Sequence, residues 1–318
     1  MLKKLFQSFR SPLRRAAHKR STPEVLNSNQ HPLRRGEISR YALSVVDRLQ
    51  QAGYQAYLVG GCVRDLLLNL EPKDFDVATS ATPEQVRAEF RNARVIGRRF
   101  KLVHVHFGRE IIEVATFRAN HPQGDEDEDS NLSSRNESGR ILRDNVYGSL
   151  EDDAQRRDFT INALYLDASC ERILDYANGV HDIRNRLIRL IGDPEKRYQE
   201  DPVRMLRAVR FAAKLDFDIE KHSAAPIPRL ARLLHEIPSA RLFDEVLKLF
   251  LAGNAEHTFE LLLEYNLFAP LFPAAAAALK RDPEYAGELI RLALASTDRR
   301  IEQGKTVTPA FLFAALLW

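Results

Sequence analysis

The most chemically suggestive residues are Asp74 and Asp76, separated by Phe75 in a stretch whose composition predicts a β-strand over 75–78. A period of two places both carboxylates on one face and turns Phe75 and Val77 to the other. Two like charges side by side are costly unless something compensates them, and a hard divalent cation does so with one or two carboxylates plus substrate phosphates. Taken alone, an Asp-x-Asp is more often a pair of solvated acids on an open strand face. Just upstream, Leu58-Val59-Gly60-Gly61-Cys62-Val63-Arg64-Asp65 reads as a strand, a tight glycine turn and a helix start. That arrangement offers backbone N–H groups and the Arg64 guanidinium to phosphate oxygens. No G-x-x-x-x-G-K-[ST] loop occurs, and Gly60-Gly61 lacks the third glycine of a dinucleotide fingerprint, so the phosphate mode is of another kind. A third acid, Glu113, lies in the apolar run Ile111–Phe117, where an unpaired charge is expensive, and it is a candidate to complete a metal triad.

The elements that must position these groups follow from the pattern. Ala42, Val45, Val46 and Leu49 recur at helical spacing before Gly53, predicting a helix over 38–52. A strand over 54–59, a short helix over 63–70 and the Asp74/Asp76 strand come next. Thr82-Pro83-Glu84-Gln85 is a capping-box sequence opening a helix over 83–91. Two β-rich runs at 101–107 and 110–117 flank Gly108-Arg109, a two-residue hairpin. Residues 119–145 lose periodicity, carry the acidic run Asp125–Asp129 and read as a mobile loop. From about Val180 onward helical signals dominate.

Gly60-Gly61-x-Val63-Arg64-Asp65 followed by Asp74-x-Asp76 resembles the head motif of the class II polymerase β-like nucleotidyltransferases, the family of bacterial poly(A) polymerases and CCA-adding enzymes. Three further segments resemble the family's later motifs, in order. Arg156-Arg157-Asp158-Phe159-Thr160-Ile161-Asn162 is similar to the ribose and triphosphate motif. Asp175-Tyr176-x-x-Gly179-x-x-Asp182 is similar to the segment coupling head to neck, and Glu200-Asp201-Pro202-x-Arg204-x-x-Arg207 to the base-reading helix. The similarity covers roughly residues 38–275. It implies an α+β nucleotidyltransferase head with a mixed or antiparallel sheet, followed by an all-α neck and body. The implied organisation is a basic flexible arm at 1–37, a head at 38–167, a neck at 168–235 that binds base and RNA, and a helical body at 236–318.

The same resemblance implies template-independent transfer of AMP from ATP to RNA 3′ ends, in the service of RNA turnover, with Mg²⁺ or Mn²⁺ as cofactor and RNA-decay machinery as partner. Asp74 and Asp76 are the expected metal ligands. Glu113 and Asp158 both remain open as the supporting carboxylate. Gly60, Gly61, Arg64, Arg118, Arg156, Arg157 and Asn162 are expected at the triphosphate or ribose, and Asp201, Arg204 and Arg207 at the base. Asp201 before Pro202 is expected to cap a helix and to hold Arg204 beside its carboxylate, the alternative being a plain intrahelical ion pair. The segment Val95–Val105 resembles that of bacterial poly(A) polymerases, and within it Arg98, Arg99 and Lys101 are weak candidates for RNA phosphates or members of a solvated turn. His104 and His106 alternate on a strand and are read as packing or surface histidines. CCA addition to tRNA remains the runner-up activity, and an RNA-binding protein with an idle head is the non-enzymatic alternative.

Composition supports a globular chain. Of 318 residues 44% are hydrophobic and 29% charged, the net charge is +3, and only two cysteines occur, at Cys62 and Cys170. Their separation argues against a thiolate metal site and fits a reducing, cytoplasmic location. Residues 1–40 hold ten Lys/Arg against Glu24 and Glu37, so the basic charge sits in an N-terminal arm suited to RNA or an anionic membrane surface. No apolar run is long enough to span a membrane. The apolar stretch 310–318 lacks a stop signal, as in a chain that continues further.

Overall fold

A computed structural model describes residues 22–97, 101–119, 133–135, 141–144 and 146–317. Ten strands matter to the site: β1 (Glu24–Leu26), β2 (Ala56–Val59), β3 (Asp76–Thr79), β4 (Ala93–Ile96), β5 (Leu102–Phe107), β6 (Glu110–Thr116), β7 (Ser133–Arg135), β8 (Ile141–Asp144), β9 (Leu164–Asp167) and β10 (Arg172–Asp175). Eight of them form one mixed sheet in the order β1-β10-β9-β2-β3-β6-β5-β4, with β3 and β6 parallel. The helices around and after the sheet are α1 (Arg40–Gln51), α2 (Gly61–Leu67), α3 (Pro83–Glu89), α4 (Leu150–Arg156), α5 (Gly179–Arg184), α6 (Pro194–Glu200) and α7 (Val203–Leu215). The body continues as α8 (Lys221–Ala224), α9 (Ile227–Leu230), α10 (Ser239–Phe250), α11 (Ala255–Glu264), α12 (Phe268–Leu271), α13 (Pro273–Arg281), α14 (Pro283–Glu302) and α15 (Pro309–Leu317). Among the described residues no helix is long and apolar enough to cross a membrane.

Local chemistry sets the element ends. The Ser39 hydroxyl accepts from the backbone N–H groups of Tyr41 and Ala42 and so caps α1. Thr82 and Gln85 form the reciprocal capping box of α3, with Pro83 at its first position. Alternation then divides the sheet into two faces. Leu58, Val77, Val103, Val105, Ile112, Val114, Leu164 and Leu166 turn one way into the main core, with Val45, Val46 and Leu49 of α1. Burying each such side chain contributes about 1.5–3 kcal/mol. The opposite face carries a smaller cluster of Val59, Ala78, Phe117 and Tyr165 under Leu150 and Ala154 of α4. Beyond the edge of that cluster the sheet face is polar, and it holds the acids.

Four expectations change. Strand β3 begins at Asp76, so Asp74 lies just before it; β2 ends at the Gly60 turn and leaves Asp74 no strand to pair with. The chain is already part of the fold at Glu24, because β1 pairs with β10 and Leu33 is fully buried, so the basic segment expected to be flexible through residue 37 is structured from there. Residues 1–21 lie outside the described residues. Strand β10, assigned from sequence to the neck, belongs to the head sheet. Finally, the backbone of β7 and β8 forms an antiparallel pair inside 119–145, which aperiodic sequence alone does not announce; the acidic run Asp125–Asp129 lies outside the described residues.

Candidate active site

Strand register gathers the carboxylates. Asp76 on β3 stands opposite Glu113 on β6, and Glu113 stands opposite His104 on β5, so the three occupy one row of the sheet and share a face. His104 Nε2 is 3.3 Å from Glu113 Oε2. Burial pushes the Asp76 carboxyl up to about 6; Glu113 and Asp74 push in the same direction, while Arg157 opposes them. Asp74 is exposed beside it. A largely buried Asp76 carboxylate that feels both Glu113 and Asp74 carries a charge that a divalent cation would relieve. Among the described residues no group of three or more His, Cys, Asp or Glu side chains is placed to hold a metal ion. Mg²⁺ needs no such group, since it keeps waters and substrate phosphate oxygens in its shell and is held by one or two carboxylates, so the hard oxygens of Asp74 and Asp76 fit it.

A guanidinium faces this cluster from across the glycine turn. Gly60 has φ +81° and ψ −130°, a conformation open to glycine, and a Cβ built there would lie 3.6 Å from Arg157 Nη1. Arg157 is held in place by residues that the sequence did not single out. Its Nε donates to Tyr165 Oη at 2.9 Å and to Asp153 Oδ2 at 3.1 Å, Nη2 donates to the same oxygen at 3.0 Å, and Tyr165 Oη donates to it at 2.7 Å. Asp153 Oδ1 also accepts the backbone N–H of Arg118 at 3.3 Å. One of three consecutive acids on α4 and a Tyr on β9 carry no sequence signal for this role, because their partnership exists only across the fold.

Arg64 departs from its expected place. It is 3% exposed, and its Nε and Nη2 donate to Asp65 Oδ1 at 2.8 and 2.6 Å, while Nη1 donates to Asn162 Oδ1 at 2.6 Å. Its charge is therefore committed inside the protein, tying α2 to the Asn162 turn, and is not turned toward an open phosphate site. Asn162 passes the link on, donating from Nδ2 to Asp158 Oδ1 at 3.4 Å. Asp158 in turn pairs with Arg207, whose Nε lies 2.7 Å from Oδ2 and whose Nη2 bonds the same oxygen. Burial works to raise the Asp158 carboxyl, yet Arg207 outweighs it and holds the group at about 2. Asp158 thus joins head to α7, and the acid brought beside Asp76 is Glu113.

The residues expected at the base are arranged differently from the simple helix start the sequence suggests. Helix α7 begins at Val203, and Asp201 sits between α6 and α7 with Oδ1 accepting the Val203 N–H at 3.3 Å. Its other oxygen accepts from Arg241 on α10 at 2.7 Å. Arg204 donates to Glu200 Oε2 at 3.1 Å and to Arg197 O at 2.7 Å. Asp201 and Arg204 are therefore neighbours with separate partners, Arg241 for the carboxylate and Glu200 for the guanidinium. Arg197 also donates from Nη2 to the carbonyls of Arg156 and Arg157, fixing the neck against the head motif. Arg118 is buried, with Nη2 donating to Lys101 O at 3.2 Å, and Lys101 Nζ lies 3.4 Å from Glu84. Arg98 and Arg99 lie outside the described residues.

Known proteins share these features. The family model described as the Poly A polymerase head domain matches residues 56–189, and one described as a probable RNA and SrmB binding site of polymerase A matches residues 216–279. Poly(A) polymerase I of Salmonella typhimurium is 56% identical over 295 residues, which is 92% of this chain and 63% of that protein. The chain thus spans less than two thirds of that relative's length. A CCA-adding enzyme of Lactobacillus helveticus is 38% identical over 226 residues, 71% of this chain and 53% of that one. The crystal structure of the Bacillus stearothermophilus CCA-adding enzyme in complex with CTP superposes with a TM-score of 0.61 at 28% identity, covering 86% of this chain and 80% of that one. With the head and RNA-binding models matched in order and the carboxylate row and glycine turn in place, this chain belongs to the nucleotidyltransferase family of bacterial poly(A) polymerases and CCA-adding enzymes.

Proposed function

We propose that the protein transfers AMP from ATP to RNA 3′ ends without a template. The observation that carries this reading over CCA addition is the 56% identity across 92% of the chain to a poly(A) polymerase, against 38% across 71% to a CCA-adding enzyme. On this reading Asp74 and Asp76 hold a divalent cation, with Glu113 as the supporting carboxylate. The cation, when bound, lowers the pKa of the attacking 3′-hydroxyl and offsets charge on departing pyrophosphate. Arg157, clamped by Asp153 and Tyr165 over the Gly60 turn, receives phosphoryl charge without having to reorganise. Asp201 and Arg204, each held by a separate partner, present an acceptor and a donor to the base of the incoming nucleotide, so the protein selects it. The neck and residues 216–279 take the RNA strand.

Incubating the protein with Mg²⁺, a short unstructured RNA and each nucleoside triphosphate singly tests this directly. ATP is expected to give a ladder of many added residues and CTP almost none. Addition of two C and one A to a tRNA, followed by arrest, would replace this assignment with CCA addition, and no incorporation of any nucleotide would leave an RNA-binding protein.

A further inference from the structure

The histidines of β5 take no part in the chemistry described so far. His104 stands third in a row that crosses four strands, Asp76 on β3, Glu113 on β6, His104 on β5 and Arg94 on β4, each opposite the next. Of its two cross-strand neighbours, Arg94 has only donors to offer, whereas an ionised Glu113 only accepts. The 3.3 Å contact between His104 Nε2 and Glu113 Oε2 therefore settles which ring nitrogen carries the proton: Nε2 donates. The imidazole packs edge-on against His106, with ring centroids 6.2 Å apart, and β5 is paired on both sides, so the donor projects from the interior of the sheet and not from a loop. Glu113 lacks any such support of its own. Its long side chain is 41% exposed, and it and Asp76 repel each other, the repulsion that helps to push the Asp76 carboxyl up. An acid so placed lowers its energy by turning out to water, away from the row, unless a donor holds it; a hydrogen bond to a charged acceptor is among the stronger ones.

We propose that His104 is a positioning residue for Glu113: its Nε2–H tethers the carboxylate and keeps it in the row beside Asp76. The inference rests on the reading of Glu113 as the supporting carboxylate and adds the group that holds it in place. A histidine that merely packs on the sheet is indifferent to what stands at position 113. A tether acts through that carboxylate alone, and the two cases separate by experiment.

Single-turnover incorporation of AMP into a short RNA by the full chain, with calorimetric binding of ATP beside it, tests the assignment. His104→Phe keeps a flat ring without the donor and is expected to slow transfer about tenfold, as for other hydrogen-bond partners of metal-site carboxylates, with ATP affinity and melting temperature unchanged. His104→Asn, whose amide is too short to reach, is expected to match it and serves should the first variant fold poorly. His104→Gln carries an amide N–H near the position of Nε2 and is expected to restore most of the lost rate. In a Glu113→Ala background, adding His104→Phe is expected to cost nothing more, because no carboxylate is left to position. Losses that multiply in the double variant overturn the proposal, as does wild-type transfer by His104→Phe, or a fall in ATP affinity equal to the fall in rate, which marks a nucleotide contact. Independently of activity, long-range proton–nitrogen NMR spectra of the metal-free protein are expected to show His104 protonated on Nε2, with both ring nitrogen signals moving in Glu113→Ala. A proton on Nδ1 alone, or signals indifferent to Glu113, overturns it. If wild type adds no nucleotide to RNA, the transfer reading fails by itself, and these spectra decide the tether.

Discussion

Replacing Asp76 by Asn removes a charge that burial and two neighbouring acids disfavour in the folded protein. The Asp76 carboxyl is pushed from 3.8 to about 6, so its ionised form is disfavoured in the folded protein by roughly two pKa units. At about 1.4 kcal/mol per unit that is an upper bound of about 3 kcal/mol, reduced by whatever solvent reaches the group. An acid whose folded pKa is raised contributes stability below its unfolded pKa and loses it as pH climbs through the folded one. Metal-free wild type therefore carries the full penalty at pH 8, whereas Asp76→Asn carries none. Urea unfolding in EDTA is expected to show the variant more stable at pH 8, with the difference shrinking by about 1.4 kcal/mol on going to pH 5. Mg²⁺ should stabilise wild type at pH 8 and leave the variant unmoved, and nucleotide transfer should be abolished. A variant less stable than wild type at pH 8, or a stability gap independent of pH over this window, would refute the claim that desolvation and neighbouring acids load this carboxylate.

Further outcomes follow from the same geometry. Glu113→Gln is expected to cut the turnover of ATP by about a hundredfold or more with little change in melting temperature, whereas Asp158→Asn should cost about 2 kcal/mol by stranding Arg207; that cost is fully present above pH 3.8 and fades as pH falls toward 2, and denaturant unfolding beside a turnover assay separates the two roles. Gly60→Ala puts a side chain at φ +81° and should destabilise by about 1–3 kcal/mol in denaturant unfolding, while its Cβ, at 3.6 Å from Arg157 Nη1, leaves that guanidinium in place. Deleting residues 1–21, which carry seven Lys/Arg and no acid, is expected to flatten the salt dependence of RNA binding and to leave ATP preference unchanged, as measured by anisotropy across a salt series.

Helices α1, α2 and α3 and most strands of the head were legible in local pattern, because capping boxes, glycine stops and period-two alternation are short-range signals that write themselves into adjacent residues; α4 was not. Strand β4 at the sheet edge was not, since Arg94, Val95 and Ile96 are exposed and leave no alternation to read. Nor was the pairing of β1, whose three residues become a strand only because β10 offers them an edge. Some side-chain partnerships were misread for the same reason. Asp201 and Arg204 look like a pair along one helix, but Arg241 arrives from α10, forty residues away, and Glu200 from α6.

By itself the sequence pointed to the candidate reacting groups, the Asp74 and Asp76 carboxylates after a glycine turn, and to the order of the later motifs and the family to which they belong. It left open which further acid stands with them. Glu113 and Asp158 are equally plausible as isolated letters, one in an apolar strand and the other beside two arginines. Which of them lies beside Asp76 is a matter of tertiary structure: strand register sets β6 parallel to β3 with Glu113 opposite Asp76, while Arg207 reaches from α7 to pair with Asp158. The reason is physical. Carboxylate chemistry depends on which charges lie within a few ångströms, and that distance is set by hydrogen-bonded register and long-range packing, neither of which a local pattern contains.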